Sequence, residues 1–185
     1  MDDRLIALLR GVNVGGHNKV PMTDLRSLCT QLGWADVQTY IQSGNILFHA
    51  KGEPAALEKT LEMAIRDRMG FKIPVIVRTA ADWAGYILAN PFPGASEREP
   101  NFVHLLLSKF SPDPGAVEAL QERAQGGERV ALAAGALWVH YASGAGRSKL
   151  APALLDRLAG SPVTGRNWRT VLKVDEMLGS PRRSH

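Results

Sequence analysis

The sequence predicts an α+β protein that contains two ferredoxin-like halves, each followed by an extra helix. Runs with strand-like and helix-like hydrophobic spacing alternate in the order β-α-β-β-α-β, and the same order then occurs a second time. Each copy is followed by one further helical segment. We therefore expect residues 1–93 to form the first ferredoxin-like half and residues 94–185 the second, joined as one compact unit.

Hydrophobic spacing defines the elements of the first half. A short continuous apolar run predicts a buried strand, and leucines at i, i+3 and i+7 predict an amphipathic helix. β-branched and aromatic runs on either side of a polar turn predict a hairpin. The predicted elements are a strand at 4–10, a helix ending at Gly33, strands at 37–41 and 46–49, a helix from Pro54 to Gly70 and a strand at 73–77.

The second half repeats these elements in the same order. The predicted segments are a strand at 102–107, a helix from Ser111 to about Arg123, a hairpin of strands 129–133 and 136–141, a helix at 148–158 and a short strand near Val163. Pro152 is compatible with that last helix only in its first turn. The two extra helices follow Thr79 and Asn167, which are natural N-cap residues. The Pro- and Gly-rich stretch 90–100 is the expected junction.

The charge balance does not indicate a polyanion partner. Lys and Arg number 22 against 18 Asp and Glu, a formal net charge of +4, and Arg182 and Arg183 supply two of these charges. No apolar run approaches the roughly 18 to 20 residues of a membrane span. The start Met-Asp-Asp-Arg is not that of a signal peptide. We therefore expect a cytoplasmic protein without membrane contact.

Residues with reactive side chains form no known catalytic or metal-binding motif. Cys29 is the single cysteine, and its leucine neighbours at helical spacing predict a buried structural thiol. None of the five histidines has a Cys, His or acidic neighbour at metal-ligand spacing, so we expect no metal site. There is no G-x-S-x-G elbow and no paired-carboxylate signature. The sequence assigns no catalytic residue and no cofactor, and it leaves open whether the protein is an enzyme.

The two halves differ most in the loop that follows their first strand. The second half uses the short connection 108–111, whereas the first uses a loop from Arg10 to Lys19 with three glycines and two asparagines. Because a scaffold requirement would be shared, the excess indicates a ligand loop with Arg10 and Lys19 as anion contacts. Its other candidate residues are Asn13, Gly15, Gly16 and Asn18. The alternative is that the glycines and asparagines satisfy left-handed turns and Arg10 pairs with a carboxylate.

The glycine-rich loop fails the two phosphate-binding patterns that it most resembles. Gly11 and Gly16 have the G-x-x-x-x-G spacing of a P-loop. The Lys and Ser/Thr that must follow are replaced by His17 and Asn18. The dinucleotide pattern G-x-G-x-x-G is also absent. The loop is therefore a candidate site without an assigned ligand.

Three other polar segments are candidate contacts. Ser43 and Asn45 lie in the predicted hairpin turn, where Ser-Gly-Asn is also ordinary turn chemistry. We expect this turn and the glycine-rich loop to lie at opposite ends of the sheet. In the second half, Arg147, Ser148 and Lys149 are expected at a helix N-terminus, which favours an anion. Arg166 and Asn167, which precede the last helix, are further candidate ligand contacts. Alternatively, Asn167 caps that helix and Arg166 is bonded to a nearby carbonyl or carboxylate.

Three separated segments carry a resemblance to a known family. They are Leu8–Met22, Thr39–Asn45 and Arg166–Thr170. With these segments the chain resembles, over essentially its whole length, the bacterial family numbered 1697 among the domains of unknown function. The resemblance implies a duplicated ferredoxin-like fold. It implies no activity, ligand or catalytic residue.

The leading functional hypothesis is a protein that binds a small anionic or polar ligand at Arg10–Lys19, with or without an enzymatic activity. The first alternative is a nucleic-acid-binding module, because some ferredoxin-like sheets bind RNA on exposed aromatic residues. The chain lacks the RNA-recognition consensus, and Tyr40 and Phe48 are the strand aromatics that could stack bases. The second alternative is a module for self-association or protein interaction. The sequence does not specify an oligomeric state.

Overall fold

The computed structural model describes residues 3–179 of the 185-residue chain. Met1, Asp2 and the arginines Arg182 and Arg183 lie outside the described residues. The described chain contains two four-stranded antiparallel sheets with helices between their strands, in the predicted order. The duplicated βαββαβ ferredoxin-like prediction is therefore confirmed. Contacts divide the described chain into two compact units, residues 3–83 with 175–179 and residues 84–174.

The first sheet has the strand order β2-β3-β1-β4. Its elements, with the helix that follows them, are β1 (Asp3–Leu9), α1 (Met22–Gln31), β2 (Ala35–Tyr40), β3 (Asn45–Ala50), α2 (Pro54–Met69), β4 (Val75–Thr79) and α3 (Ala80–Leu88). The end of β1 pairs with the beginnings of both neighbours, because Leu8 is opposite Asn45 and Leu9 is opposite Val75. This register brings several loops to one end of the sheet.

The second sheet repeats this topology in the order β6-β7-β5-β8. The remaining elements are α4 (Pro93–Arg98), β5 (Val103–Ser108), α5 (Ala116–Gln121), β6 (Arg129–Ala133), β7 (Ala136–His140), α6 (Pro152–Ala159), β8 (Val163–Asn167) and α7 (Trp168–Leu178). The expected junction contains a short helix, α4, which was not predicted from the sequence. The predicted helix start at Ser148 is wrong, since α6 begins at Pro152, where a proline at the first position loses no hydrogen bond.

Side-chain caps explain where α3 and α7 begin. The Thr79 hydroxyl accepts a hydrogen bond from the Asp82 N–H at 3.0 Å, and the Asp82 carboxylate accepts one from the Thr79 N–H at 3.0 Å. This reciprocal pair is a capping box. Asn167 Oδ1 accepts a hydrogen bond from the Thr170 N–H at 2.9 Å. Both predicted N-caps are confirmed.

Three outer strands have some of their free edge amides satisfied by helix side chains. Glu58 and Glu62 of α2 accept hydrogen bonds from the Val77 and Val75 N–H groups at 2.9 and 2.8 Å. In the second sheet, Gln121 of α5 accepts from the Val130 N–H, and Asp156 of α6 accepts from the Val163 N–H. Occupied edge amides cannot pair with a further strand. These four amides are therefore not available for pairing with a further strand.

Cys29 lies in the core of the first sheet and is fully buried. Burial raises the pKa of the Cys29 thiol to about 12. Because only the thiolate is a competent nucleophile, we expect native protein at pH 8 not to react with a disulfide reagent such as Ellman's reagent. One thiol per chain should react after unfolding in guanidinium chloride. Stoichiometric labelling of the native protein within minutes would contradict this placement.

Candidate functional site

Three loops meet at the end of the first sheet where β1 ends. They are residues 10–21 between β1 and α1, residues 41–44 between β2 and β3, and residues 70–74 between α2 and β4. These loops contain no Asp or Glu, and their basic side chains are Arg10, His17, Lys19 and Lys72. The chain as a whole has nearly balanced charge, so this end of the sheet is a local concentration of basic residues.

The glycine-rich loop folds into a small hairpin of its own. Gly15 and Gly16 have φ angles of 58° and 79°, and the His17 N–H donates to the Val14 carbonyl at 3.1 Å. Two successive positive φ angles across such a turn define a type I′ geometry, which glycine adopts readily. Asn13 and Asn18 flank the turn and are also left-handed. Part of the glycine and asparagine content therefore satisfies backbone geometry, as the alternative interpretation expected.

Asn13 fastens this loop to the β2–β3 turn. Its Nδ2 donates to the carbonyl oxygens of Val20 at 3.0 Å and Gln42 at 2.8 Å. Its Oδ1 accepts a hydrogen bond from the Val20 N–H at 2.9 Å. One side chain therefore closes the base of the glycine-rich loop and joins it to a segment 29 residues away in sequence. We call this set of three hydrogen bonds the Asn13 latch.

The Asn13 latch contradicts the expectation that the loop and the turn lie at opposite ends of the sheet. Helix α1 carries the chain back along the sheet, so that β2 starts at the end where β1 started. The β2–β3 turn then forms beside the end of β1, as the pairing of Leu8 with Asn45 shows. The Leu9 N–H also donates to the Gly44 carbonyl at 2.9 Å.

The two segments enclose an open cleft of about 360 Å³. Its lining residues are Asn13, Gly16, Lys19, Val20, Pro21 and Gln42. Lys19 is exposed and has no hydrogen bond or ion pair with any part of the chain that the structure describes. Over the same residues, the N–H groups of Gly15 and Gly16 donate no hydrogen bond. The cleft is thus lined by Lys19, whose ammonium group is free, and by Gly16, whose amide is free.

Not all sequence-predicted residues of the loop face this cleft. Arg10 is half-buried and interacts within the protein, and its N–H donates to the Pro74 carbonyl at 3.0 Å. Asn18 Nδ2 donates to the Gly11 carbonyl at 3.2 Å. Neither residue lines the cleft. They support the loop, whereas Lys19 provides its exposed charge.

The β2–β3 turn holds Ser43 and Asn45 within the hairpin. Asn45 is fully buried, and its Nδ2 donates to the Tyr40 carbonyl and to the Ser43 hydroxyl, each at 3.0 Å. Gly44 has φ 76°, and a Cβ added there would lie 2.8 Å from Leu9 Cβ and from Val12 Cγ2. The turn therefore depends on a glycine at position 44.

Ile41 is a residue of this turn that no sequence pattern singled out. It has φ 52° and is 49% exposed. A left-handed backbone at a β-branched residue costs about 1–2 kcal/mol, and an exposed side chain recovers little of that cost. Its neighbour Gln42 lines the cleft. Ile41 therefore carries backbone strain next in sequence to a residue of the candidate site.

In the second unit, Arg147, Ser148 and Lys149 do not begin a helix. They lie at the end of one 3₁₀ turn, Ala145–Arg147, and before the extended approach to α6. The Ser148 hydroxyl donates to Glu128 Oε1 at 2.5 Å, and this hydrogen bond is the main cause of a lowered pKa of Glu128. Lys149 Nζ donates to Gln125 at 2.6 Å. The expected helix N-terminus is therefore not at these residues, and Arg147 is exposed.

Arg166 and Asn167 have interactions that account for them without a ligand. Arg166 is buried, and its Nη1 donates to Thr164 Oγ1 and to the Gly165 carbonyl, each at 2.8 Å. Burial lowers the pKa of the Arg166 guanidinium to about 10, so the group stays charged at neutral pH. Asn167 is the N-cap of α7. These two residues lie in the second unit.

The first sheet lacks the aromatic platform of an RNA-recognition protein. Phe48 is fully buried and stacks on Trp34 with ring centroids 4.0 Å apart, and Tyr40 is half-buried. Ile6, Leu8, Leu47 and Ile76, on the face away from α1 and α2, are also buried. Neither face of the central strands is therefore open for base stacking.

Two other features are absent from residues 3–179. None of the helices in this range is both long and apolar enough to span a bilayer. No group of three or more His, Cys, Asp or Glu side chains in the same range is arranged to hold a metal ion.

Comparison with known proteins agrees with the fold and names no ligand. A solved structure of a conserved bacterial protein from Streptococcus pneumoniae matches with a TM-score of 0.71 and 25% identity, covering 96% of this chain and 99% of that chain. No curated protein matches the sequence. The model of the family described as protein of unknown function DUF1697 matches residues 3–138, and the chain therefore belongs to the DUF1697 family.

Proposed function

We propose that the protein binds a small anionic ligand in the cleft between the glycine-rich loop and the β2–β3 turn. The observation that carries the proposal is the exposed ammonium group of Lys19, which has no partner in residues 3–179 and lines a cleft whose loops contain no acidic residue. An unpaired cation and free amides in one loop are suited to a phosphate or a carboxylate.

The neighbouring backbone adds to this preference. The Gly15 and Gly16 amides lie in a left-handed turn, and consecutive amides in such turns bind anions. The N-terminus of α1 follows Pro21, and Pro21 makes no side-chain capping hydrogen bond. The dipole of helix α1 favours negative charge at this end, although Asp24 in the first turn offsets part of this effect.

The corresponding end of the second sheet provides a comparison within the same chain. There the Lys109 N–H donates to the Pro162 carbonyl, as the Arg10 N–H does to Pro74 in the first sheet. The following loop contains an acidic residue, Asp113, whose carboxylate would lie 2.8 Å from a Cβ added at Gly160. The acid-free loops and the Asn13 latch are therefore features of the first sheet and are not required by the shared fold.

Removal of the Lys19 charge tests the proposal. In wild-type protein, inorganic phosphate at constant ionic strength should raise the unfolding temperature as its concentration increases, with a Kd on the order of 1 mM. Lys19→Ala should weaken this binding about tenfold, because a charge-assisted hydrogen bond is lost. The measurement is differential scanning fluorimetry over a phosphate series, with chloride replacing phosphate.

Lys59→Ala is the matched control for this experiment. Lys59 is exposed on α2 in the same unit and likewise has no partner in the part of the chain that the structure describes. The unfolding temperature of Lys59→Ala should rise with phosphate as that of wild-type protein does. Equal phosphate responses of Lys19→Ala and Lys59→Ala would refute the proposed site.

A further inference from the structure

We infer that the ligand of this cleft is amphiphilic, with an anionic head group near Lys19 and a short apolar body against Ile41 and Val14; the inference rests on the proposed function. It specifies a class of dissolved compounds, namely alkyl or aryl phosphates and carboxylates, in place of bare inorganic anions or sugar phosphates.

The first reason is that the cleft has both polar and apolar lining residues. Asn13, Lys19 and Gln42 provide polar groups, whereas Val20 and Pro21 add an apolar wall. Val20 is itself buried, so the part that lines the cleft continues directly from the core. A ligand that fills the cleft therefore contacts apolar as well as polar surface.

The second reason is the position of two exposed apolar side chains. Val14 is 66% exposed and follows Asn13, and Ile41 is 49% exposed and precedes Gln42. Asn13 and Gln42 are joined by a hydrogen bond of 2.8 Å, and each apolar residue is one Cα step of about 3.8 Å from its latched neighbour. Val14 and Ile41 are therefore each next in sequence to a residue that lines the cleft.

The third reason is the backbone at Ile41. Position 41 has a left-handed φ of 52°, which asparagine and glycine adopt with much less strain than isoleucine. Because the Ile41 side chain is exposed, its packing in the hairpin offsets little of this strain. A requirement of the fold alone would be met better by asparagine, so the isoleucine side chain is explained by a contact that forms when a ligand is present.

The test compares anions that differ only in their apolar part. The probes are inorganic phosphate against hexyl phosphate, and acetate against hexanoate, each measured by isothermal titration calorimetry on the full chain. For wild-type protein, we expect the hexyl group to tighten phosphate binding by about tenfold or more, because several methylene groups leave water. The carboxylate pair should show the same direction.

Ile41→Asn is expected to have two opposite effects. It should raise the unfolding temperature by about 2–4 °C through relief of backbone strain. It should also weaken hexyl phosphate binding about fivefold while leaving inorganic phosphate unchanged, because only the apolar contact is lost. Met63→Ala, which removes a side chain that is 45% exposed on α2, is the matched control and should change neither affinity.

The outcomes separate this inference from the proposed function. Lys19→Ala should weaken the binding of all four probes. Equal affinities of this variant and wild-type protein would overturn the proposed function together with the inference. Loss of binding in Lys19→Ala with no gain from the hexyl group would overturn the inference alone. An equal effect of Ile41→Asn on phosphate and hexyl phosphate would do the same. Failure of every probe to bind wild-type protein would overturn both. If the protein sedimented with anionic phospholipid vesicles but did not bind dissolved hexyl phosphate, the inference would also be overturned.

Discussion

Asn13→Asp is expected to destabilise the protein by about 2 kcal/mol and to abolish phosphate binding in the cleft. The substitution keeps an acceptor for the Val20 N–H but removes the donor to the Val20 and Gln42 carbonyl oxygens. A carboxylate then faces two carbonyl oxygens without a proton between them. It also places a negative charge in the cleft that the ligand would occupy. Urea unfolding and a phosphate titration measure the two effects.

Asn18→Asp is the control for this variant. Asn18 is exposed, is also left-handed, and makes one side-chain hydrogen bond at 3.2 Å to the Gly11 carbonyl. Its replacement should cost less than about 1 kcal/mol, since a single exposed hydrogen bond is lost. Equal effects of the two substitutions on stability would show that the Asn13 latch has no special role in joining the two segments.

Gly44→Ala is expected to destabilise the protein by about 3 kcal/mol or more. An alanine there adopts an unfavourable left-handed backbone, and its methyl group meets Leu9 and Val12 at 2.8 Å. Both neighbours are buried, and relief of the overlap requires movement of the β2–β3 turn away from the end of β1. The free energy of unfolding in urea measures the effect.

Gly15→Ala separates the backbone cost from the steric cost. Gly15 also has a positive φ, of 58°, but a Cβ added there meets nothing closer than a His17 side-chain atom at 3.9 Å. This substitution should cost about 1–2 kcal/mol, from the backbone alone. If Gly44→Ala were no more destabilising than Gly15→Ala, the close packing of the turn on β1 would be contradicted.

Much of the fold is predictable because its signals are local. Continuous apolar runs and leucines at helical spacing depend only on neighbours in sequence, and they identify both sheets and Cys29 as a core residue. Thr79 and Asn167 are recognisable as caps because their hydrogen bonds span three residues. Short helices such as α4 are not recognisable in this way, because six residues provide too little periodicity.

The candidate site is less predictable because it depends on contacts between distant segments. The hydrogen bond of Asn13 with Gln42 spans 29 residues, and no local pattern reports it. In the sequence, Arg10 and Lys19 are both basic residues at the ends of one loop, and nothing distinguishes them. In the structure, Arg10 is half-buried and interacts within the protein, whereas Lys19 is exposed. The comparison of the two halves did single out the loop that lines the cleft, because both halves share what folding alone requires.

Ile41 illustrates a signal that only backbone geometry provides. In sequence it extends a strand of β-formers, and nothing marks it as the first residue of a turn. Its positive φ is a property of the folded hairpin, and the free-energy cost of that backbone conformation is therefore not apparent from the sequence. Backbone strain at an exposed position is therefore a guide to function that complements the search for polar motifs.

The most direct test of the cleft is a titration of ¹⁵N-labelled protein with inorganic phosphate, followed by backbone amide chemical shifts. We predict saturable shifts of the Gly15, Gly16, Lys19 and Gln42 amides, with a Kd that Lys19→Ala raises about tenfold and Lys59→Ala leaves unchanged. Saturable shifts that instead map to the second unit, around Arg147 or Arg166, or the absence of saturable shifts anywhere, would contradict an anion site at the Asn13 latch.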